Sequence, residues 1–270
     1  MRRTRGALVV ALLAMGGLLL WRARDADEQT ANVPLDTQAI ARRHGVAVLT
    51  GAPATLTVSP HGVPIARQLP QVSLLPLDGA VPQATLQGLD AALAVYPQGA
   101  FGRLCRAIVL VRQLRFAGAE GGGTAGGDFI VLASDPNRSA QSNRVTARLG
   151  VHHEFSSLIW QRQPAMTIRW RLLMPAGWQP APTAAEALSR NEEAAPPLAS
   201  GVLSAYGATS LENDFNTYAE IAFDDPARMR NLARMPIVAA KLAVLREAYV
   251  ATDPAFAELF ARLQLTPPVR

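Results

Sequence analysis

Apolar positions recur along the chain with two periods, and together they predict an α+β fold. Val151, Phe155, Leu158 and Ile159 stand at i, i+4, i+7 and i+8, one face of an amphipathic helix. Ser142 or Asn143 is the expected cap of that helix, and Pro164 its expected end. Leu86, Leu89, Leu93 and Tyr96 line a second helix, Ala84 to Tyr96, which Pro97 stops. The unbroken apolar runs Ala107–Val111 and Phe129–Ala133 predict buried strands. The Gly-rich stretch between them, Gly118 to Gly127, is expected to be a flexible hairpin connection. It is not a P-loop, because it lacks the Gly-Lys-Ser/Thr ending and leads into a strand.

The flanking regions are read the same way. Thr37 to Arg43 predicts a short helix. Ala47 to Leu75 predicts strands or extended loops, such as Ala54–Val58, interrupted by Pro60, Pro64 and Pro70. Asp135-Pro136-Asn137-Arg138 is a turn. Thr167 to Leu173, with Arg169 and Arg171 alternating, reads as extended, and the Pro- and Ala-rich residues 175–200 as a surface excursion. The expected architecture is a small mixed sheet packed on the Val151–Trp160 helix, followed by a helical C-terminal half.

Composition adds bounds. With 270 residues, 49% hydrophobic and 17% charged, the chain is globular and long enough for a sizeable core. The net charge of +5 is spread along the chain. No Lys/Arg cluster interleaves with aromatics, so a nucleic-acid partner has no support. Arg2, Arg3 and Arg5 precede an uncharged run from Ala7 to Trp21, and Arg22 and Arg24 close it. That pattern is a secretory signal or an N-terminal membrane anchor over residues 1–25. It predicts export to the periplasm, or anchoring in the inner membrane facing it. Residues 26–45 are then a linker and 46–270 the functional domain. The single Cys105 excludes an intramolecular disulfide and a Cys-based metal site, and it is expected in the core.

The candidate chemistry lies in the helix of residues 151–160. His153-Glu154 followed by Ser157 is HExxH with Ser in place of the second His. In the intact motif two His one turn apart bind zinc and the Glu between them is a general base. A buried polar cluster on a core helix is the competing explanation. His152 lies about 100° around the helix from His153 and would share a metal only through distortion. Glu220 sits between Ala219 and Ile221, and a carboxylate there requires a cation or hydrogen-bond donors. An Arg partner is the alternative to a metal. Glu212 and Asp214 stand near the start of the same helix, where capping explains them. His44 and His61 read as surface residues.

The stretch Gly201 to Phe223 carries a Ser-x-Tyr-Gly-x-Thr loop, Ser204 to Thr209, and then Tyr218-Ala219-Glu220. Together with His153-Glu154, and with the run from Lys241 to Phe256, it resembles the zinc-binding metallopeptidases of bacterial envelopes. These are zincin-like proteins related to anthrax lethal factor and the secreted Pro-Pro endopeptidases. The resemblance covers roughly residues 100–260. It implies a zincin-like domain with His153 and Glu220 as zinc ligands, and His152 or a residue of the 201–214 loop as a further one. It implies Glu154 as general base, Tyr206 or Tyr218 as stabiliser of the oxyanion, and a peptide or protein substrate. The departure at Ser157 puts the metal in question, since a hydroxyl is a poor zinc ligand. A catalytically inactive zincin-fold binding protein of the envelope is the alternative, and an envelope structural protein with a coincidental motif a third.

Overall fold

The structure, a computed structural model, describes residues 35–58, 62–190 and 193–266. The expected signal or anchor segment and His61 lie outside these residues. Among the described residues no helix is long and apolar enough to cross a membrane.

The fold is α+β, and its sheet is built on one long strand. Strand β3 (Ala107–Phe116) has two halves with different neighbours. Its buried first half pairs parallel to β1 (Ala47–Leu49) and to β6 (Phe129–Ala133). Its second half pairs antiparallel to β2 (Val72–Pro76) and β4 (Ala119–Gly121). Strand β5 (Gly123–Gly126) pairs antiparallel to β6. The Gly-rich stretch is therefore two short strands, one folding back on β3 and one leading into β6. Ala54–Val58 forms a turn and a single bridge, Thr57 to Pro64, rather than a strand.

Period-2 alternation sorts the strand side chains onto two faces. Ile108, Leu110, Ile130 and Leu132 join the main core, while Val109, Val111, Phe129 and Val131 meet Ile65 and Leu69 on the other face. Helix α1 (Thr37–His44) packs on the main core through Ile40, so this part of the expected linker belongs to the domain. Helix α2 (Ile65–Gln68) covers the second face.

Helix α5 (Ala140–Arg162) is the central rod of the molecule. Its N-cap is Ser139, whose Oγ accepts from the Ser142 amide at 3.1 Å, upstream of the expected Ser142 or Asn143. Helix α3 (Gln83–Leu93) crosses it closely at Gly88, where a Cβ would lie 2.4 Å from the Arg144 carbonyl oxygen. Helix α4 is Ala100–Leu104 and carries Phe101, which stacks on Phe155 with ring centroids 4.2 Å apart. Cys105, just after it, is buried in the core as expected.

The C-terminal half is helical. Helix α6 (Pro164–Leu172) replaces the extended segment expected at Thr167–Leu173. Pro164 sits in its first turn, where a missing N–H costs nothing and the fixed φ favours a helix. Only Trp170 of that helix is buried, so the Arg alternation records exposure rather than a pleat. Helix α7 (Ala184–Ser189) lies within the 175–200 excursion. Helix α8 (Leu211–Asp224) packs along α5, and α9 (Pro226–Leu232), α10 (Pro236–Thr252) and α11 (Phe256–Arg262) close the core.

Candidate active site

The site is a cleft of about 360 Å³ between α5, α8, α7 and the strand pair β4–β5. Helix α5 presents His153, Glu154 and Ser157 to it, α8 presents Glu212, Asn216 and Glu220, and the preceding loop supplies Tyr206. The Gly-rich strands form the wall facing α5. The lack of side chains there has a consequence: a Cβ at Gly123 would lie 2.8 Å from Glu154 Oε1 and 2.9 Å from its Cγ. Only glycine leaves Glu154 its present place.

His153 and Glu220, 67 positions apart, meet directly. His153 Nδ1–H donates to Glu220 Oε1. Burial opposes the charge on His153. The Glu220 hydrogen bond, with the carboxylates of Glu220, Glu154 and Glu212, outweighs it and holds the imidazolium up to about 9. Glu154 is 7% exposed and makes no hydrogen bond or ion pair among the described residues. Burial pushes it up to about 7, helped by Glu212 and Glu220 and opposed by His153. Tyr206 tilts over the His153 ring at 5.8 Å, its hydroxyl pushed up by burial and by Glu154, Glu220 and Glu212.

Ser157 stands one turn after His153 on the same face. Its hydroxyl accepts from Asn216 Nδ2 at 2.8 Å, and Ser156 Oγ donates to Asn216 Oδ1. A Ser–Asn–Ser chain thus occupies the place of a second His ligand. The sequence offered no signal for Asn216, because its partners lie 59 and 60 positions away.

Two other expected residues lie elsewhere. His152 is buried against Tyr96 and Phe223, with Tyr96 Oη at 2.9 Å from its Nδ1. Burial, with Arg148 adding to it, lowers its pKa to about 3, so it is a neutral core histidine. The helical rotation of about 100° per residue that separates it from His153 is not distorted away. Tyr218 is fully buried against Trp170, its hydroxyl donating to the Gly201 carbonyl at 2.8 Å, so of the two tyrosines only Tyr206 lines the cleft.

Asp214 is not a cap. It forms a buried ion pair with Lys241 at 2.5 Å and accepts from Trp170 Nε1 at 2.9 Å. The cap of α8 is Ser210, whose Oγ accepts from the Asn213 amide at 2.9 Å. Lys241 also donates to the Gly201 carbonyl at 2.8 Å. The pair therefore ties α8, α10 and the start of the Tyr206 loop together. His44 is not the expected surface residue: its side chain is only 10% exposed and lies 2.8 Å from Asp90.

The cleft meets part of what a zinc ion requires. Catalytic zinc sites use three protein ligands. His153 and Glu220 are in contact, Ser157 is engaged by Asn216, and His152 faces away. Among the described residues no group of three or more His, Cys, Asp or Glu side chains has the geometry to hold a metal ion. Among the described residues the donor set falls one protein ligand short.

Compared with known proteins, the chain matches no family model, no curated protein and no solved structure.

Proposed function

We propose that this chain is a peptidase of the cell envelope whose hydrolytic centre is the cleft of His153, Glu154, Glu220 and Tyr206. The observation that carries this reading is the convergence on one cleft of an unpartnered, buried Glu154 and the His153–Glu220 pair. Two titratable groups driven apart by their surroundings are the usual mark of an acid and a base.

The chain's own residues supply a complete proton path. Glu154, as carboxylate, takes a proton from a water in the cleft as the water oxygen attacks the scissile carbonyl carbon. His153, held as imidazolium by Glu220, and the Tyr206 hydroxyl donate to the oxyanion that forms. Glu154 then passes its proton to the leaving amine as the carbon–nitrogen bond breaks. Zinc, which the family resemblance implies, would meet His153 and Glu220 and would polarise the carbonyl and acidify its water. Because those two side chains are one ligand short, every step above is written on protein groups. Export rests on the Arg-flanked apolar run of residues 7–21.

The test is cleavage of a mixed peptide library by the purified chain, read by mass spectrometry, with Glu154→Gln alongside. The reading expects discrete cleavage sites that disappear in the variant. No cleavage by the wild type, with or without added zinc, supports the inactive binding protein instead.

A further inference from the structure

The charge lining the cleft is one-sided. Glu154, Glu212 and Glu220 face it, and His153 is the only cationic side chain among its lining residues. Among the described residues no Lys or Arg lines it, although the chain carries 26 of them against 21 acidic residues. Glu220 is matched by His153, which leaves two carboxylates over.

Neither of the two has a hydrogen bond or ion pair among the described residues, though both lie in the field of His153. Glu212 makes no hydrogen bond or ion pair among the described residues. Its position in the first turn of α8 accounts for its being acidic, since the helix dipole favours an anion there. The dipole does not account for its sharing a cleft with a second unpaired carboxylate. That second one, Glu154, is more than nine-tenths buried and lines the same space. Two carboxylates in one partly buried cleft, with one imidazolium already paired to Glu220, repel each other, and the repulsion is relieved when one of them holds a proton or when a cation enters. The described residues provide no metal-holding group, so an organic cation is the better fit.

We propose that the cleft selects a substrate with an ammonium group, bound between Glu212 and Glu154, next to the bond presented to the centre. The inference rests on the cleft being the substrate site and names the class of peptide it takes. The ammonium has two sources, a free peptide N-terminus or a basic side chain. Glu212 is then a specificity residue that touches the substrate without taking part in proton transfer.

The experiment is calorimetric titration of the full-length wild-type protein, with the integrity of each probe checked in parallel by mass spectrometry. Three pentapeptide amides serve as probes: acetyl-Ala-Ala-Lys-Ala-Ala, its norleucine analogue, and the norleucine peptide with a free N-terminus. At least one cationic probe should bind wild type roughly tenfold more tightly than the neutral one. Which one does so identifies the source of the ammonium. Adding Glu212→Gln should cut the charged-to-neutral preference roughly fivefold. Raising the salt concentration should weaken the charged probes selectively in wild type, a readout that needs no variant. Equal binding of charged and neutral probes, no binding of any, or a preference untouched by Glu212→Gln overturns the proposal. Charge-selective binding without cleavage sinks the peptidase reading and leaves this one. Cleavage indifferent to charge does the reverse.

Discussion

Lys241→Met should destabilise the protein by about 3–5 kcal/mol, because it strands a buried carboxylate. Lys241 and Asp214 are both fully buried and lie 2.5 Å apart. At an effective dielectric constant of about 20 their gross attraction is ~7 kcal/mol. Desolvation costs several kcal/mol for each ion and offsets most of that. The pair as a whole is therefore worth little, and the cost of breaking it arises from the partner left behind. With Met at 241, Asp214 keeps only the Trp170 donor, and its Oδ1 already has no partner among the described residues. Gly201 retains the Tyr218 hydroxyl, so its carbonyl is not orphaned. Pairing Lys241→Met with Asp214→Asn removes the stranded charge, keeps an acceptor for Trp170, and should recover at least half of the loss. Urea titrations with unchanged m-values measure both.

Acid supplies a second readout of the same pair. Burial holds Asp214 up to about 6 from an ordinary 3.8, against the opposing pull of Lys241 and the Trp170 bond. A raised carboxyl pKa means that the folded state holds the proton more tightly, so stability falls as pH rises through that window. Without Lys241 the pKa rises further, so the variant's deficit should shrink as pH is lowered from above toward 6 and level off below it. A single variant costing less than about 1 kcal/mol, or a double variant no better than the single, would refute the reasoning.

Other predictions follow from the site. Gly123→Ala places a methyl 2.8 Å from Glu154 Oε1 and 2.9 Å from Leu132 Cδ2, and should cost about 1–3 kcal/mol in thermal unfolding. It should also lower cleavage more than tenfold by displacing the base, on the order of what a lost general base costs. His153 is raised from 6.5 to about 9 in the folded protein, so its stabilisation is complete below 6.5 and lost as pH rises to about 9. Wild-type stability should fall by on the order of 3 kcal/mol across that range, a fall that His153→Gln should lack. An equal fall in the variant would assign it to another group.

Much of the fold was legible from periodicity. The apolar runs at Ala107–Val111 and Phe129–Ala133 are strands because a strand buried on both faces reads as continuous hydrophobicity. The 3.6-residue period from Val151 marked the rod of the molecule and the face it buries in the core. The extended reading of Thr167–Leu173 failed because α6 buries only Trp170, and one buried residue defines no period. The Gly-rich strands were hidden because their pairing is specified by neighbours, not by side chains. In the site, the meeting of His153 and Glu220 was legible as an order of motifs along the chain. The partners that decide its chemistry were not. Asn216 on Ser157, Tyr96 on His152 and Lys241 on Asp214 are contacts across 59, 56 and 27 positions, and polar residues leave no periodic trace of whom they face.

The central claim is that Glu154 is the base and His153, held by Glu220, the acid of one hydrolytic centre. It is tested most directly by the dependence of kcat/KM on pH for a peptide the protein cleaves. The account predicts a bell that rises near pH 7 as Glu154 ionises and falls near pH 9 as His153 loses its proton, with Glu154→Gln removing the reaction. A rate that does not fall below pH 7 or above pH 9, or cleavage that persists with the same profile in Glu154→Gln, would contradict it.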